Sequence, residues 1–320
     1  MAATLPKSES SVRVAVIDIG TNSTRLLIAD VEGNRVDEIY RESRVTRLGR
    51  GVDYSGQLSS EGIEAVCGTI AEYLPLIRSE EAREIMVIAT SAVRDAENGD
   101  AFVAELRERF DLRCRVIDGD QEANYTYLGT CSGRSADRTR NETLLVIDIG
   151  GGSTEMIVGR GPDPVFHTSL QAGVVRHTER ILTGDPPSSA ELEALAKDID
   201  KLVQASLEGI DIPPVDRAIA VAGTPSSLAA IDLELEPYDP KAVEGHRLPL
   251  RTVQWWLSRL ASMPLAERQQ VPGLHPDRAQ AIVAGVVILI EIMRTFDLLE
   301  IEVSEHDILY GCAITAAATA

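Results

Sequence analysis

Short apolar runs alternate along this chain with stretches whose apolar residues return at helical spacing. The run Val16-Ile17-Asp18-Ile19 stops at Gly20-Thr21-Asn22-Ser23 and reads as a buried strand entering a turn. Strands are predicted next over 25–31 and 35–44, joined by the hairpin turn Glu32-Gly33-Asn34. Apolar residues from Ile63 to Ile77 then predict a helix over 59–78 with Ser59 as its N-cap. A buried strand at 85–90 leads into Thr90-Ser91-Ala92-Val93-Arg94, and a charged amphipathic helix is predicted at 99–110. A strand at 113–117 precedes a helix that Gly119 opens and that contains Glu122. The polar stretch 132–141 has the composition of a linker.

The pattern then restarts. Val146-Ile147-Asp148-Ile149-Gly150-Gly151-Gly152-Ser153-Thr154 repeats Val16–Thr24 at a distance of 130 residues, with seven of nine positions identical. Strands at 144–149, 154–160 and 165–171 and a helix at 174–182 follow it, closed by Gly184-Asp185-Pro186-Pro187. Ser189 is placed as the cap of a long amphipathic helix to Leu207. A strand at 218–222 runs into Gly223-Thr224-Pro225-Ser226-Ser227 and a helix. From Leu250 onward the chain reads as mainly helical, with a buried helix at 281–296 and a terminal one at 308–318. The outline is two α/β domains of similar design, each with a mixed sheet. Domain I is placed at 1–136, rejoined by the terminal helix at about 307–320, and domain II at 137–306.

Composition narrows the class. The 320 residues are 44% hydrophobic and 25% charged, as in globular proteins. The longest apolar run, Ala281–Ile290, is about half a membrane span, and residues 1–11 lack a signal-type apolar stretch. We expect a cytoplasmic protein with no membrane partner. Cys67, Cys114, Cys131 and Cys312 are scattered and form no CxxC pair, so we expect reduced thiols. A net charge of −19 argues against nucleic acid. It also opposes an anionic substrate, unless an acidic surface surrounds a locally basic cleft helped by Mg²⁺. Only four of the 31 basic residues are Lys, and Arg grips phosphate bidentately. Arg41, Arg44, Arg47 and Arg50 recur every three residues, either as a solvated face or as a phosphate-contacting patch.

The repeated turns hold the chemistry. Such a turn aims backbone N–H groups at an anion, and two of them across a cleft can hold a phosphate chain from both sides. Gly150-Gly151-Gly152-Ser153 is the more open copy, because three glycines let backbone approach a ligand closely. Thr21 and Asn22 stiffen the other copy. Asp18 and Asp148 end buried strands, where a carboxylate needs a cation or hydrogen bonds. Either each caps its own turn, or they bind a metal beside phosphate; two matched copies favour the second. Gly223 and Thr224 form a third, weaker turn. Arg94 reads as a surface residue or a phosphate contact at a strand end, and Glu155 follows the second loop directly. Composition does not single out Glu122 from the other glutamates. No P-loop or GxGxxG motif is present.

These residues together resemble the exopolyphosphatase/guanosine pentaphosphate phosphatase (Ppx/GppA) family, part of the acetate kinase, actin and hexokinase superfamily. The resemblance runs over nearly the whole chain. It rests on Asp18-Ile19-Gly20-Thr21-Asn22-Ser23, Ala89-Thr90-Ser91-Ala92-Val93-Arg94, Gly119-Asp120-Gln121-Glu122-Ala123, Asp148–Glu155, Ala222-Gly223-Thr224 and His275-Pro276-Asp277-Arg278. It implies two ribonuclease H-like (actin-like ATPase) domains with mixed five-stranded sheets and an active site in the cleft between them. It implies Glu122 as general base for the attacking water, Arg94 as phosphate contact, and Asp148 and Glu155 as ligands of Mg²⁺, with Mn²⁺ as alternative. Asp18, Gly20, Thr21, Asn22, Ser23, Gly150 to Ser153, Gly223 and Thr224 would bind phosphate. The length resembles the family's short form, and Gln121 stands where an acidic residue is usual, which lowers local negative charge. The implied activity is exopolyphosphatase on short to medium chains. Alternatives are hydrolysis of the 5′-phosphate of pppGpp, a kinase or ATPase of the same fold, and a non-catalytic sensor of ppGpp or polyphosphate. A homodimer is left open.

Overall fold

The computed structural model describes residues 11–134 and 141–320. Its elements in chain order are β1 (Val12–Ile19), β2 (Ser23–Glu32), β3 (Arg35–Val45), α1 (Val52–Ser55), α2 (Ser60–Ser79), β4 (Glu84–Ala89), α3 (Ser91–Asp95), α4 (Gly99–Phe110), β5 (Cys114–Val116) and α5 (Gly119–Cys131). There follow β6 (Thr143–Ile149), β7 (Thr154–Arg160), β8 (Asp163–Leu170), α6 (Val174–Ile181), α7 (Ser189–Leu207), β9 (Arg217–Val221), α8 (Gly223–Asp232) and α9 (Pro240–Val243). The chain ends with β10 (Arg247–Pro249), α10 (Leu250–Ser262), α11 (Leu265–Arg268), α12 (Ile282–Thr295), β11 (Glu300–Val303) and α13 (Ile308–Ala318).

Two mixed sheets result, ordered β3-β2-β1-β4-β5 and β10-β11-β9-β6-β7-β8. In each, three antiparallel strands continue into parallel ones, so β1, β2, β3 and β4 correspond to β6, β7, β8 and β9. The second sheet therefore has six strands, not the expected five. Its extra member, β10, is a three-residue edge strand too short to show an alternating pattern. β11 lies in the tail expected to be mainly helical, although its four residues Glu300-Ile301-Glu302-Val303 alternate polar and apolar.

Alternation along β1 builds two cores. Ala15, Ile17 and Ile19 pack with α2 and α4, whereas Val14 and Val16 pack with Ile308, Leu309, Cys312 and Ala313 of α13. Each fully buried Val, Leu or Ile among them is worth roughly 1.5–3 kcal/mol. The terminal helix thus covers one face of the first sheet. α5 is held on two sides: Ala123 and Tyr127 pack on Leu144, Val146 and Ile157 of the second sheet, and Tyr125 and Leu128 pack with α13. The crossing of α5 and α13 needs glycine, because a Cβ on Gly129 would lie 1.9 Å from Asp307 O and one on Gly311 1.9 Å from Tyr125 O.

Ser59 does cap α2, accepting from Gly62 N at 3.1 Å. For α7 the cap is Ser188, one residue earlier than read from sequence. Only Ser188 stands three residues before Glu191, whose carboxylate returns to Ser188 N at 2.7 Å to close a capping box. The linker 132–141 and the boundary at 136/137 fall mostly in 135–140, outside the described residues. All four cysteines are free. No helix among the described residues is long and apolar enough to cross a membrane.

Candidate active site between the two sheets

A cavity of about 820 Å³ opens at the carboxyl ends of β1 and β6. Its wall includes Asp18, Gly20, Thr21, Asn22, Ser23, Glu122, Asp148, Gly150, Gly151, Gly152, Ser153, Gly223 and Thr224. Two of the expected site residues, Arg94 and Glu155, lie behind this wall rather than on it.

The two repeated turns meet at the cavity floor. A Cβ on Gly151 would lie 2.8 Å from Thr21 Cβ, and one on Gly152 would lie 2.4 Å from Ser91 Oγ. The glycines are therefore required by close approach of the other lobe. Each turn is fastened from behind through its carbonyl oxygens. Gly49 N donates to Thr21 O at 2.8 Å, and Thr46 N and Arg47 N donate to Asn22 O at 3.0 and 2.9 Å. In the second turn Val174 N reaches Gly150 O at 3.0 Å, Val175 N reaches Gly151 O at 2.9 Å, and Arg176 Nε reaches Gly152 O at 2.9 Å. In a planar trans peptide the next residue's N–H points opposite to the carbonyl. The amides of Asn22, Ser23, Gly151, Gly152 and Ser153 are accordingly turned toward the cavity, where they form a set of anion donors.

Glu122 sits in the first turn of α5, which is opened by an Asp118 capping box. Gln121 completes that box, accepting from Asp118 N at 3.2 Å on the exposed side. The expectation that Gln121 tunes the site's charge is replaced by this cap, to which Gln and Glu are equally suited. Glu122 is 8% exposed, and its carboxylate accepts from Arg94 Nη1 at 3.2 Å, while Arg94 also donates to Ile117 O at 2.7 Å. Burial pushes Glu122 up to about 8, with Arg94 opposing and the charge of Asp148 adding to the rise.

The two copies differ at the tenth position of the phrase, where Arg25 corresponds to Glu155. Each pairs directly across the hairpin with the aspartate of its own copy, Asp18 with Arg25 and Asp148 with Glu155, and residues opposite each other share a face. Arg25 donates to Asp18 Oδ2 at 2.8 Å and also to Asp307, so the first copy carries its own cation. The second pairs two buried carboxylates. Asp148 is held by Thr126 Oγ1 at 3.1 Å and Glu155 by Ser169 Oγ at 2.7 Å. Burial raises Asp148 to about 6 and Glu155 well above its ordinary value, reinforced in the latter by Glu122 and Asp148. Asp307 stays low despite burial because Arg25 and Arg41 outweigh it.

The expectation of a locally basic cleft is corrected. Its wall carries Asp18, Glu38, Glu42, Glu122, Asp148, Glu236, Glu305 and Asp307 against Arg25, Arg41 and Arg278. Arg41 pairs with Glu305 at 2.8 Å, Arg44 with Glu42 at 2.6 Å and Arg47 with Asp277 at 2.8 Å, so three of the four arginines in the row are matched by carboxylates. An anion entering this cleft therefore needs backbone amides and an added cation. Hard oxygen donors at Asp148, the unpartnered Oδ1 of Asp18, and Glu155 behind them fit Mg²⁺. Among the described residues no three His, Cys, Asp or Glu side chains form a ready-made metal nest. A cation here would take one or two carboxylates and complete its shell with phosphate oxygens and water.

Sequence reasoning missed Arg25, Thr126, Arg176 and Asp307. An arginine inside the apolar strand 23–32 was the available signal for the first. Ala222, quoted only as part of a motif, holds φ 72 and ψ −165, a conformation costing roughly 1–3 kcal/mol that presents Gly223 and Thr224 to the cavity.

These acids make stability depend on pH. A carboxyl whose folded pKa is raised binds its proton more tightly in the folded state, so its stabilisation is complete at about pH 4 and is lost as pH rises through the folded value. With Asp148 at about 6 and Glu122 at about 8, the thermal midpoint of metal-free protein should fall steadily up to about pH 8. Mg²⁺ should restore it at the alkaline end and do little at about pH 5. Scanning calorimetry across this range checks it, and a midpoint that rises with pH would contradict it.

Comparison with known proteins follows the same lines. The sequence profile described as the Ppx/GppA phosphatase family matches residues 27–313. Exopolyphosphatase 2 of Mycobacterium tuberculosis is 32% identical over 318 residues, covering 95% of this chain and 98% of that protein. A guanosine-5′-triphosphate,3′-diphosphate pyrophosphatase of Pseudoalteromonas translucida is 29% identical over 289 residues, covering 90% of this chain and 55% of that protein. The crystal structure of the Aquifex aeolicus Ppx/GppA family member matches with a TM-score of 0.81 at 29% identity, covering 97% and 98% of the two chains.

Proposed function

The chain belongs to the Ppx/GppA phosphatase family and is a phosphoanhydride hydrolase, and on that premise we propose that it removes terminal phosphate from inorganic polyphosphate. The observation that carries the proposal is the pair of donor turns meeting below one cavity, with the buried Glu122 on its wall beside them. The turn amides and the Ser23 and Ser153 segments bind the terminal phosphates and fix the scissile bond. Glu122, in its ionised form, accepts a proton from a water aligned with the terminal phosphorus. Arg94 holds the Glu122 carboxylate in place and favours that ionised form; it acts through Glu122 rather than on the phosphate chain. Asp148 and Glu155 would hold Mg²⁺, or Mn²⁺, which when bound supplies positive charge to the phosphate oxygens.

Part of the cavity lining favours a second reading. Leu235, Tyr238, Val271, Pro272 and Leu274 form it, an apolar surface that a bare phosphate chain does not use. A nucleoside would, which supports hydrolysis of the 5′-terminal phosphate of pppGpp.

Phosphate release from polyphosphate and from pppGpp, at equal phosphate concentration and with Mg²⁺ present, tests both. The proposal expects kcat/KM on polyphosphate to exceed that on pppGpp by at least about tenfold, equivalent to about 1.4 kcal/mol. A reversed order transfers the assignment to the nucleotide, and no release from either ends both readings.

A further inference from the structure

Arg176 joins three parts of the molecule. It lies in the first turn of α6, and its side chain is 17% exposed. Its Nε donates to Gly152 O at 2.9 Å, its backbone N to Gly151 O at 3.3 Å, and Nη2 to Asp95 Oδ2 at 2.8 Å. Nη1 pairs with Asp53 of α1. Asp95 Oδ2 also takes the hydroxyl of Ser91 at 3.3 Å, and Ser91 lines the cavity. One guanidinium thus fastens the second glycine turn to two carboxylates of the opposite lobe. Nearby, Glu179 accepts from Gly51 N at 3.0 Å through its carboxylate and from Tyr54 Oη at 2.7 Å through its carbonyl, extending the junction.

The chemistry of this contact separates it from substrate binding. Arg176 is not on the cavity wall. It borders a void of about 10 Å³ behind the turns, shared with Thr21, Gly49, Asp53, Ser91 and Gly152 and too small to pass phosphate. Its charge is matched by two carboxylates. We infer that Arg176 is a positioning residue: it sets the spacing between the amides of the second turn and the Ser91–Arg94–Glu122 side of the cleft. Its loss would free Gly152 O, strip Asp53 of this cation, leave Asp95 with Arg94 Nε at 3.9 Å, and let the donor turn drift from the base. A shift of about 1 Å between such groups costs on the order of 10²-fold in rate. Lysine keeps the charge but cannot span three acceptors as the planar fork does.

The inference rests on the phosphoanhydride reading for its kinetic arm only. Arg176→Ala and Arg176→Lys are compared with the parent in phosphate release from polyphosphate with Mg²⁺, kcat and KM being read separately. Hydrogen exchange of the Gly150, Val174 and Val175 amides is measured without substrate. The expected result is a kcat lower by about 10²-fold for Arg176→Ala and by less for Arg176→Lys, with KM within about threefold and faster exchange of the three amides. A kcat within about threefold of the parent in both variants overturns the inference even if the thermal midpoint drops, because that pattern is merely structural. A raised KM at unchanged kcat also overturns it, by making Arg176 a substrate ligand. A parent that releases no phosphate from any phosphoanhydride sinks the functional reading instead. The exchange arm then decides alone, and unchanged exchange in both variants rejects the clamp.

Discussion

Phosphate release by the Glu122→Gln protein is expected to be about 10²–10⁴-fold slower than by the parent, the usual worth of a positioned base. Glutamine keeps the shape of the side chain and an oxygen for Arg94 Nη1, so the Arg94 contact and the start of α5 should survive. What is lost is the capacity to take a proton. KM should therefore change little, which separates this variant from one that damages phosphate binding. The parent should show activity rising with pH as Glu122 ionises, toward about 8 in the absence of a bound cation and at lower pH when a cation offsets Asp148 and Glu155. The substitution also removes a carboxyl that burial disfavours in its charged form, so the thermal midpoint at alkaline pH should rise. A rate within about threefold of the parent would show that another group takes the proton.

Gly173→Ala is expected to lose activity by about 10²–10³-fold with the fold intact, through displacement of the donor turn rather than through chemistry. An added Cβ would lie 2.2 Å from Gly151 O and 2.3 Å from Gly152 C, and both are backbone atoms that cannot rotate away. Either the turn moves or the start of α6 does, and in both cases the carbonyl contacts that orient the Gly151, Gly152 and Ser153 amides are broken. Overpacking of this kind costs typically 1–3 kcal/mol, so a lower thermal midpoint should accompany the kinetic loss. Gly68→Ala is the control: it lies on the exposed side of α2 with no atom within 4 Å of the new Cβ, and should leave the rate unchanged. Steady-state kinetics on the folded proteins would check both, and a Gly173→Ala enzyme of parental rate would mean that this turn is not gripping the phosphate.

Much of the framework could be read from one chain because the repeat is local. The phrase around Asp18 returns around Asp148, each run ends in small and hydroxylated residues, and period-2 or helical spacing defines the longer elements. What escaped was set by pairing across space. Arg25 and Glu155 occupy the same place in the repeat, but their opposite effects on the neighbouring aspartates emerge only once hairpin register puts them face to face. The arginines at 41, 44 and 47 gave a correct count of charges and no hint that Glu305, Glu42 and Asp277 would meet them. Gln121 looked like a change in site charge because sequence adjacency to Glu122 hides that neighbouring residues on a helix point in different directions. Arg176 lies 24 residues from the glycine it holds, on a strongly amphipathic helix whose pattern gives no sign of that contact. The strand β10 offers three residues, too few for any pattern.

The glycine crossing of α5 and α13 has a temporal side. Glu122 is carried on a helix whose outer flank is completed by α13, far from it in sequence. Asp307, which begins that helix, also bonds Arg25, 282 positions earlier. Contacts spanning so much sequence form late in folding. During translation both glycine turns will have emerged while the segment that steadies Arg25 and the Glu122 helix is still inside the ribosome. A growing polypeptide thus holds its donor turns before it holds a steadied Glu122, which takes its place once α13 has docked.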